Sequence, residues 1–168
     1  FWRAANLLDI QQHGHSQEEI LALFGEDLAK QLSVYIDKCG SAKGPFIYLD
    51  DVIFSGNRIG SDLSEWIKNE APDGAAVHII VIATHRLGEW QLLERVKKET
   101  KEACKTIVFH CWAAVRFENR KKYRDVSEVL WPAALPDDAG LKAYMAQEQK
   151  FPFVARQPGG KPEHDIFS

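Results

Sequence analysis

The sequence predicts a three-layer α/β protein, in which a parallel twisted sheet carries helices on both faces. Apolar runs of strand length alternate with segments of helical periodicity between residues 17 and 112, and such alternation is typical of parallel sheets. The first run is continuously apolar, as expected of a strand that is covered on both faces. Turn residues separate the segments, at Gly40, at Gly56 and at Pro72-Asp73-Gly74.

The first helix is predicted to begin at Ser16, because Ser16 and Glu19 have the spacing of a capping box. Apolar residues then recur at every fourth position, which places them on one helix face. This face consists of Ile20, Phe24, Leu28, Leu32 and Ile36. Gly40 is the predicted end of the helix.

Three strands and two further helices follow. The first strand is predicted at Phe46–Leu49 with continuation through Val52 and Ile53, and the others at residues 76–83 and 106–112. The second helix follows Gly56 and buries Ile59, Leu63, Trp66 and Ile67. The third helix covers residues 88–103, with Trp90, Leu93 and Val96 directed inward.

Composition indicates a single domain over residues 1–168, with an α/β core at 17–112 and a less regular extension at 113–168. The net charge of -3 argues against a nucleic-acid binder that uses its whole surface. The three cysteines lack metal-ligand spacing, which suggests reduced thiols in a cytoplasmic protein. No apolar run is long enough to span a bilayer. The chain starts at Phe1, so we expect it to be part of a longer polypeptide.

Polar residues close each predicted strand. Because ligands of parallel sheets bind outside the carboxyl ends of the strands, these residues are expected to share one rim. The rim would consist of Asp50 and Asp51 with the loop to Arg58, then Thr84, His85 and Arg86, then His110, Cys111 and Trp112. Each group has an alternative to ligand contact. Asp50 and Asp51 could be solvated or cap the next helix, and the second and third groups could form a polar rim or a buried strand end.

The stretch after the first strand suits a sugar phosphate. Ser55-Gly56-Asn57-Arg58 leads into a helix, and unpaired N–H groups at a helix N-terminus attract phosphate. Asp50 and Asp51 carry carboxylates, which accept hydrogen bonds from sugar hydroxyls. A ligand with a diol at one end and a phosphate at the other, such as ribose 5-phosphate, fits this pattern.

Residues 46–58, FIYLDDVIFSGNR, resemble the phosphoribosyl pyrophosphate (PRPP) motif of type I phosphoribosyltransferases. The resemblance implies a Rossmann-type fold, Mg²⁺-dependent binding of PRPP and transferase activity. It also implies that Asp50 and Asp51 hold the ribose hydroxyls, and that Ser55, Gly56 and Asn57 hold the 5-phosphate. No residue is assigned as a direct metal ligand or as a catalytic base.

The motif departs from the family pattern at two positions. Phe54 and Arg58 stand where loop hydroxyls are usual. Arg58 could bind phosphate, fill the site itself or face solvent. The pyrophosphate loop and the mobile catalytic loop of the family are either missing or precede Phe1.

The region after residue 112, with the segment VLWPAALPDD, looks similar to phosphoribosyltransferase-like domains of bacterial conflict systems, including retron-associated antiphage effectors. This resemblance implies a role in antiphage defence, in a homo-oligomer or in a multi-protein complex.

Two other classes of function stay open. A protein with this fold could be a catalytically inactive module that senses a nucleotide or supports assembly. It could also act on nucleic acid through five basic residues interleaved with aromatics, namely Arg116, Arg120, Lys121, Lys122 and Arg124. A nucleotide-hydrolysing P-loop and a dinucleotide fingerprint are excluded, because neither motif occurs in the chain.

Overall fold

The computed structural model describes residues 1–118, 137–140 and 142–143. The chain divides into two compact units, Phe1–Phe117 and Glu118–Ser168. The sequence predicts a loop at 126–141, a short helix at 141–149 and a flexible loop at 158–162. In the second unit, residues 139–140 and 142–143 are helical, so a helix begins before residue 141. Residues 126–136 and 158–162 lie outside the described residues.

The first unit contains a four-stranded sheet in which all strands are parallel, as predicted. Its strands are β1 (Asn6–Leu7), β2 (Phe46–Ile53), β3 (Ala76–His85) and β4 (Val108–Phe117), in the order β1-β2-β3-β4. Asn6 pairs with Phe46, Phe46 with Val77 and Val77 with Phe109, so the amino ends of the strands are aligned. The carboxyl ends therefore meet at the opposite edge.

Helices cover both faces of this sheet, which confirms the predicted three-layer arrangement. They are α1 (Ser16–Leu32), α2 (Asn57–Asn69) and α3 (Arg86–Glu102). Short 3-10 helices occupy Trp2–Ala4 and Ile36–Lys38. One apolar cluster joins the sheet to α2 and α3, and a second joins the other face to Leu21 of α1.

The larger cluster depends on the apolar face predicted for α2. Its four predicted core residues are all buried, and they pack with Tyr48, Val77 and Ile79 of the sheet. Burying one such aliphatic side chain contributes about 1.5–3 kcal/mol, so this face accounts for much of the stability of α2. The four residues are Ile59, Leu63, Trp66 and Ile67.

Helix α1 begins at Ser16, as predicted, but the predicted capping box and the predicted end of the helix were wrong. His15 is the N-cap and makes no capping hydrogen bond with its side chain, since Ser16 already belongs to the helix. The helix ends at Leu32, because Ser33 adopts a left-handed conformation with φ 53° and its N–H caps the last turn. Leu32 is therefore 54% exposed, and Ile36 belongs to a separate 3-10 helix.

The inward face of α3 also differs from the prediction. Leu92 and Val96 are buried, whereas Trp90 is 59% exposed. Leu92 and Val96 are four residues apart and share a helix face, while Trp90 lies about 200° round the helix from Leu92. None of the helices described is both long and apolar enough to cross a membrane.

Candidate functional site

A cleft of about 330 Å³ lies at the carboxyl edge of the sheet, where β2 turns into α2. Four of the predicted ligand-binding residues line it, namely Asp51, Ser55, Gly56 and Arg58. The rest of its described wall consists of Val52, Ile53, Phe54 and Ile59. The volume falls within the roughly 300–1,000 Å³ typical of small-molecule sites.

Two glycines hold the bend between β2 and α2 in place. Gly56 has φ 73° and is the N-cap of α2, and a Cβ there would lie 2.6 Å from the Gly88 carbonyl oxygen. A Cβ at Gly88 would lie 1.7 Å from the Phe54 carbonyl oxygen. The bend is thus packed directly against the first turn of α3, and Gly88 is a residue that the sequence did not point to.

The N–H groups of the bend lie at the start of α2, where Gly56 is the N-cap. Among the described residues, neither the Ser55 nor the Gly56 N–H donates a hydrogen bond. The Asn57 N–H donates to Ser55 Oγ at 3.3 Å. Two amides together with the positive end of the α2 dipole provide donors for an anion.

Asp50 is buried behind this cleft and is 1% exposed. Its Oδ1 accepts hydrogen bonds from Ser16 Oγ at 2.8 Å and from the Asp51 N–H at 2.9 Å. Its Oδ2 accepts from Arg58 Nη2 at 2.6 Å. Burial raises the pKa of Asp50, although these hydrogen bonds oppose the rise.

Arg58 joins the two aspartates. Its Nη2 also lies 3.3 Å from Asp51 Oδ1, and the side chains of Arg58 and Asp51 are 40% and 49% exposed. Burial disfavours the charged guanidinium, but the hydrogen bond and the attraction from Asp50 outweigh it and raise the pKa of Arg58. One cation thus faces two carboxylates, of which Asp51 alone reaches the cleft.

A buried polar network fixes α2 beside β2. The Tyr48 hydroxyl donates to Asp62 Oδ2 at 2.8 Å, and the Gln12 N–H donates to Asp62 Oδ1 at 3.3 Å. Burial and the neighbouring Asp62 carboxylate raise the pKa of Tyr48. Asp62 interrupts the apolar face of α2 between Ile59 and Leu63, and that interruption is a signal which the sequence already contained.

The loop between β1 and α1 is held by Gln17 of α1, which is completely buried. Gln17 Oε1 accepts hydrogen bonds from the Ile10 N–H at 2.8 Å and the Gln11 N–H at 2.9 Å. A Cβ at Gly14 of this loop would lie 3.9 Å from Arg58 Nη1. The sequence did not indicate this contact, because β1 is only two residues long.

Thr84, His85 and Arg86 line no part of the described wall of the cleft. β3 continues to His85, so Thr84 and His85 pair with residues of β4, and both are buried. The His85 ring packs on Phe117 with centroids 5.3 Å apart. Arg86 begins α3 and is exposed.

His110, Cys111 and Trp112 do not end a strand, which corrects their predicted position. β4 continues to Phe117, so these residues lie in its middle. His110 stacks on His78 with centroids 4.9 Å apart, and Trp112 Nε1 donates to His78 Nδ1 at 3.0 Å. Burial and the nearby Glu89 raise the pKa of Cys111 to about 12, so it is an unreactive thiol.

Arg116 is the one basic residue of the predicted nucleic-acid segment that is described. Its Nε donates to Glu89 Oε2 at 3.1 Å, and its Nη2 donates to the Cys111 carbonyl at 3.1 Å. Arg116 therefore links Glu89 of α3 to the backbone of β4. The other members lie outside the described residues, namely Arg120, Lys121, Lys122 and Arg124.

The described part of the chain contains no group of three or more His, Cys, Asp or Glu side chains that could hold a metal ion. Cys39, Cys104 and Cys111 are free thiols. A metal at this edge would therefore depend on oxygen atoms supplied by the ligand as well as by Asp51.

Parallel strands, an acidic strand end and a glycine bend that leads into a helix at one edge are the features expected of a phosphoribosyltransferase-like α/β domain. The model of the PRTase-CE family, a phosphoribosyltransferase-like domain, matches residues 1–163, and the chain belongs to this family. Searches among curated proteins and among solved structures found no match.

Proposed function

We propose that this protein binds PRPP, or a related ribose 5-phosphate nucleotide, in the cleft between Asp51 and Ile59. The observation that carries this proposal is that the PRPP-like motif itself forms the cleft. The motif is also placed at the carboxyl edge of a parallel sheet, which is where ligands of such folds bind. Membership of a phosphoribosyltransferase-like family supports the same ligand class.

The two ends of the cleft suit the two ends of the ligand. The Ser55 and Gly56 amides, at the start of α2, would hold the 5-phosphate, with Asn57 shaping the turn through its bond to Ser55. Asp51 is half exposed and would accept hydrogen bonds from the ribose hydroxyls. Asp50 would act indirectly, from behind the wall of the cleft, because its side chain is buried.

Mg²⁺ fits this site as a companion of the ligand. In proteins, Mg²⁺ keeps several waters and is bound by one or two carboxylates together with substrate phosphates. Asp51 would supply the carboxylate. When bound, the metal would neutralise charge on the pyrophosphate group.

The reaction proposed for such a complex is displacement of pyrophosphate from ribose C1 by a nitrogen nucleophile. The carbon–oxygen bond to pyrophosphate breaks as the new carbon–nitrogen bond forms, through an oxocarbenium-like state. In this scheme the bend and Asp51 orient the sugar.

A calorimetric titration of the full chain with PRPP and Mg²⁺ tests the proposal. We expect binding by the wild type, and Asp51→Asn should weaken it by at least about tenfold, as one charge-assisted hydrogen bond contributes 1.5–3 kcal/mol. Asp27→Asn is the matched control, because Asp27 is exposed on α1, far along the chain from the motif. Absence of heat with the wild type, when a known phosphoribosyltransferase binds in parallel, would refute it.

Two observations favour a second candidate, a module that binds nucleotide without turnover. Arg58 already forms ion pairs with both Asp50 and Asp51. Phe54, which is 64% exposed, stands at a position where the family has a loop hydroxyl. Such a module would sense a nucleotide or support assembly of a complex. It is distinguished by bound ligand without release of pyrophosphate, measured in a coupled pyrophosphate assay with candidate acceptors.

We infer a role in antiphage defence from the resemblance of the region after residue 112 to domains of bacterial conflict systems. A nucleic-acid-associated effector, which would use the basic residues between Arg116 and Arg124, is a separate alternative. Charge reversal of Lys121 and Lys122 should then weaken DNA or RNA binding and reduce its salt dependence. Unchanged binding in the reversed variant would refute a nucleic-acid contact through these two lysines.

A further inference from the structure

We propose that Asp50 is a positioning residue, which holds the Arg58 guanidinium in the cleft as the cation that binds a ligand phosphate. Taking a sugar phosphate as the ligand rests on the proposed function. The acid pair is then divided between two tasks, because Asp51 alone faces the sugar.

The contacts of Asp50 are all internal. Its side chain has no exposed surface, and each carboxylate oxygen already accepts a hydrogen bond. Asp50 is also not part of the cleft wall. A ribose hydroxyl could reach it only by displacing Ser16 or Arg58, so a direct contact with the sugar requires a different structure of this edge.

Arg58 has donors to spare. A guanidinium carries five N–H donors, and the two on Nη2 are directed to Asp50 and Asp51. The three on Nε and Nη1 donate to no residue in the described part of the chain. Since Arg58 lines the cleft and is 40% exposed, these donors are accessible to a ligand.

The neighbours of Arg58 select an anion. The Ser55 and Gly56 residues line the same cleft, and their N–H groups are donors at the positive end of α2. A guanidinium adds a charged, fork-shaped donor that matches phosphate oxygens. The ion pair with Asp50 fixes its position before the ligand arrives, which lowers the entropy lost on binding.

The experiment compares two probes, inorganic phosphate and ribose 5-phosphate, each titrated into the full chain and followed by NMR chemical shifts. The variants are Arg58→Gln, Asp50→Asn and the double variant. Arg3→Gln is the matched control, because Arg3 is exposed and precedes β1 at the amino edge of the sheet, opposite the edge that carries the cleft. We expect Arg58→Gln to weaken both probes by at least about tenfold. Arg3→Gln should bind both as the wild type does.

The double variant separates positioning from direct contact. If Asp50 acts through Arg58, the double variant binds both probes as Arg58→Gln does. If Asp50 instead touches the sugar, the double variant binds ribose 5-phosphate more weakly than Arg58→Gln and phosphate equally, which would overturn the inference. This comparison holds even when Asp50→Asn alone does not fold, because the double variant removes both charges of the ion pair together and leaves neither without its partner.

Failure of this inference differs from failure of the proposed function. If the wild type binds PRPP and Arg58→Gln leaves the phosphate affinity unchanged, the proposed function stands and the role of Arg58 is refuted. A wild type that binds phosphate through Arg58 but does not bind PRPP keeps the inference and loses the function. Restoration of phosphate affinity by Arg58→Lys, in part, would further support a charged contact.

Discussion

Removal of one hydroxyl, in Tyr48→Phe, tests whether the buried network fixes α2 beside β2. Tyr48 is completely buried and its hydroxyl donates to Asp62 Oδ2 at 2.8 Å. The phenyl ring stays, so no large cavity forms and the change isolates the hydrogen bond. Asp62 is 3% exposed, and among the described residues its other oxygen keeps only the hydrogen bond from the Gln12 N–H at 3.3 Å.

The magnitude follows from these contacts. A hydrogen bond to a charged group contributes about 1.5–3 kcal/mol, and a buried acceptor that loses its donor bears the full cost. We therefore expect Tyr48→Phe to lower the free energy of unfolding by about 1.5–3 kcal/mol. Urea denaturation followed by far-ultraviolet circular dichroism measures this difference.

Tyr35→Phe is the control, because Tyr35 is 58% exposed. Its free energy of unfolding should stay within about 0.5 kcal/mol of the wild type. Equal effects of the two substitutions would refute the assignment of a stabilising role to the Tyr48–Asp62 contact.

The same pair predicts a dependence on alkaline pH. The pKa of Tyr48 is raised in the folded protein, by burial first and then by Asp62, whereas in the unfolded chain it is about 10. The unfolded chain thus loses the proton first, and the stability that Tyr48 contributes declines as pH rises above about 10. The difference between wild type and Tyr48→Phe should narrow there, and a constant difference would contradict the shift.

Three further predictions concern the bend, the sheet surface and the helices. Gly88→Ala should destabilise the protein and weaken phosphate binding, since its Cβ would lie 1.7 Å from the Phe54 carbonyl oxygen. Gly25→Ala, in the interior of α1, is the control in thermal melts and titrations, because its Cβ would meet the end of the flexible Ile36 side chain, 3.1 Å from Cδ1, and not a backbone atom. The wild type should lose stability below about pH 6.5, because burial and His110 lower the pKa of His78 in the folded protein. His78→Gln should lose less stability over the same range, and urea titrations at several pH values measure both proteins. Trp66→Ala should cost about 3–5 kcal/mol in the free energy of unfolding, measured in urea, and Trp90→Ala less than about 1 kcal/mol, because only Trp66 is buried.

Local sequence patterns predicted most of the fold. The apolar run at Phe46–Ile53 and the helical spacing after Gly56 placed β2 and α2 at their observed positions. These elements bury long apolar stretches, and the hydrophobic periodicity of a sequence directly reflects which residues are buried. Strand ends were less predictable, because β4 continues through Arg116, whose charge is compensated by Glu89 across the fold.

The sequence predicted part of the candidate site, but it did not predict that Asp50 and Asp51 have different positions and roles. The motif residues Asp51, Ser55, Gly56 and Arg58 do line one cleft, as their spacing suggested. That Asp50 is buried depends on Ser16, which is 34 residues earlier in the chain. No local pattern reports such a contact.

The sequence by itself determined the parallel α/β architecture and the position of the acid pair beside a glycine bend, because both follow from short-range periodicity and turn chemistry. Only the tertiary structure decided which carboxylate faces the cleft and which one holds Arg58. That choice depends on the start of α1 and the first turn of α3 both packing against the carboxyl end of β2, where Ser16 and Gly88 complete the surroundings of the motif. Hydrogen bonds and steric contacts between residues distant in sequence exist only once the sheet has brought them together.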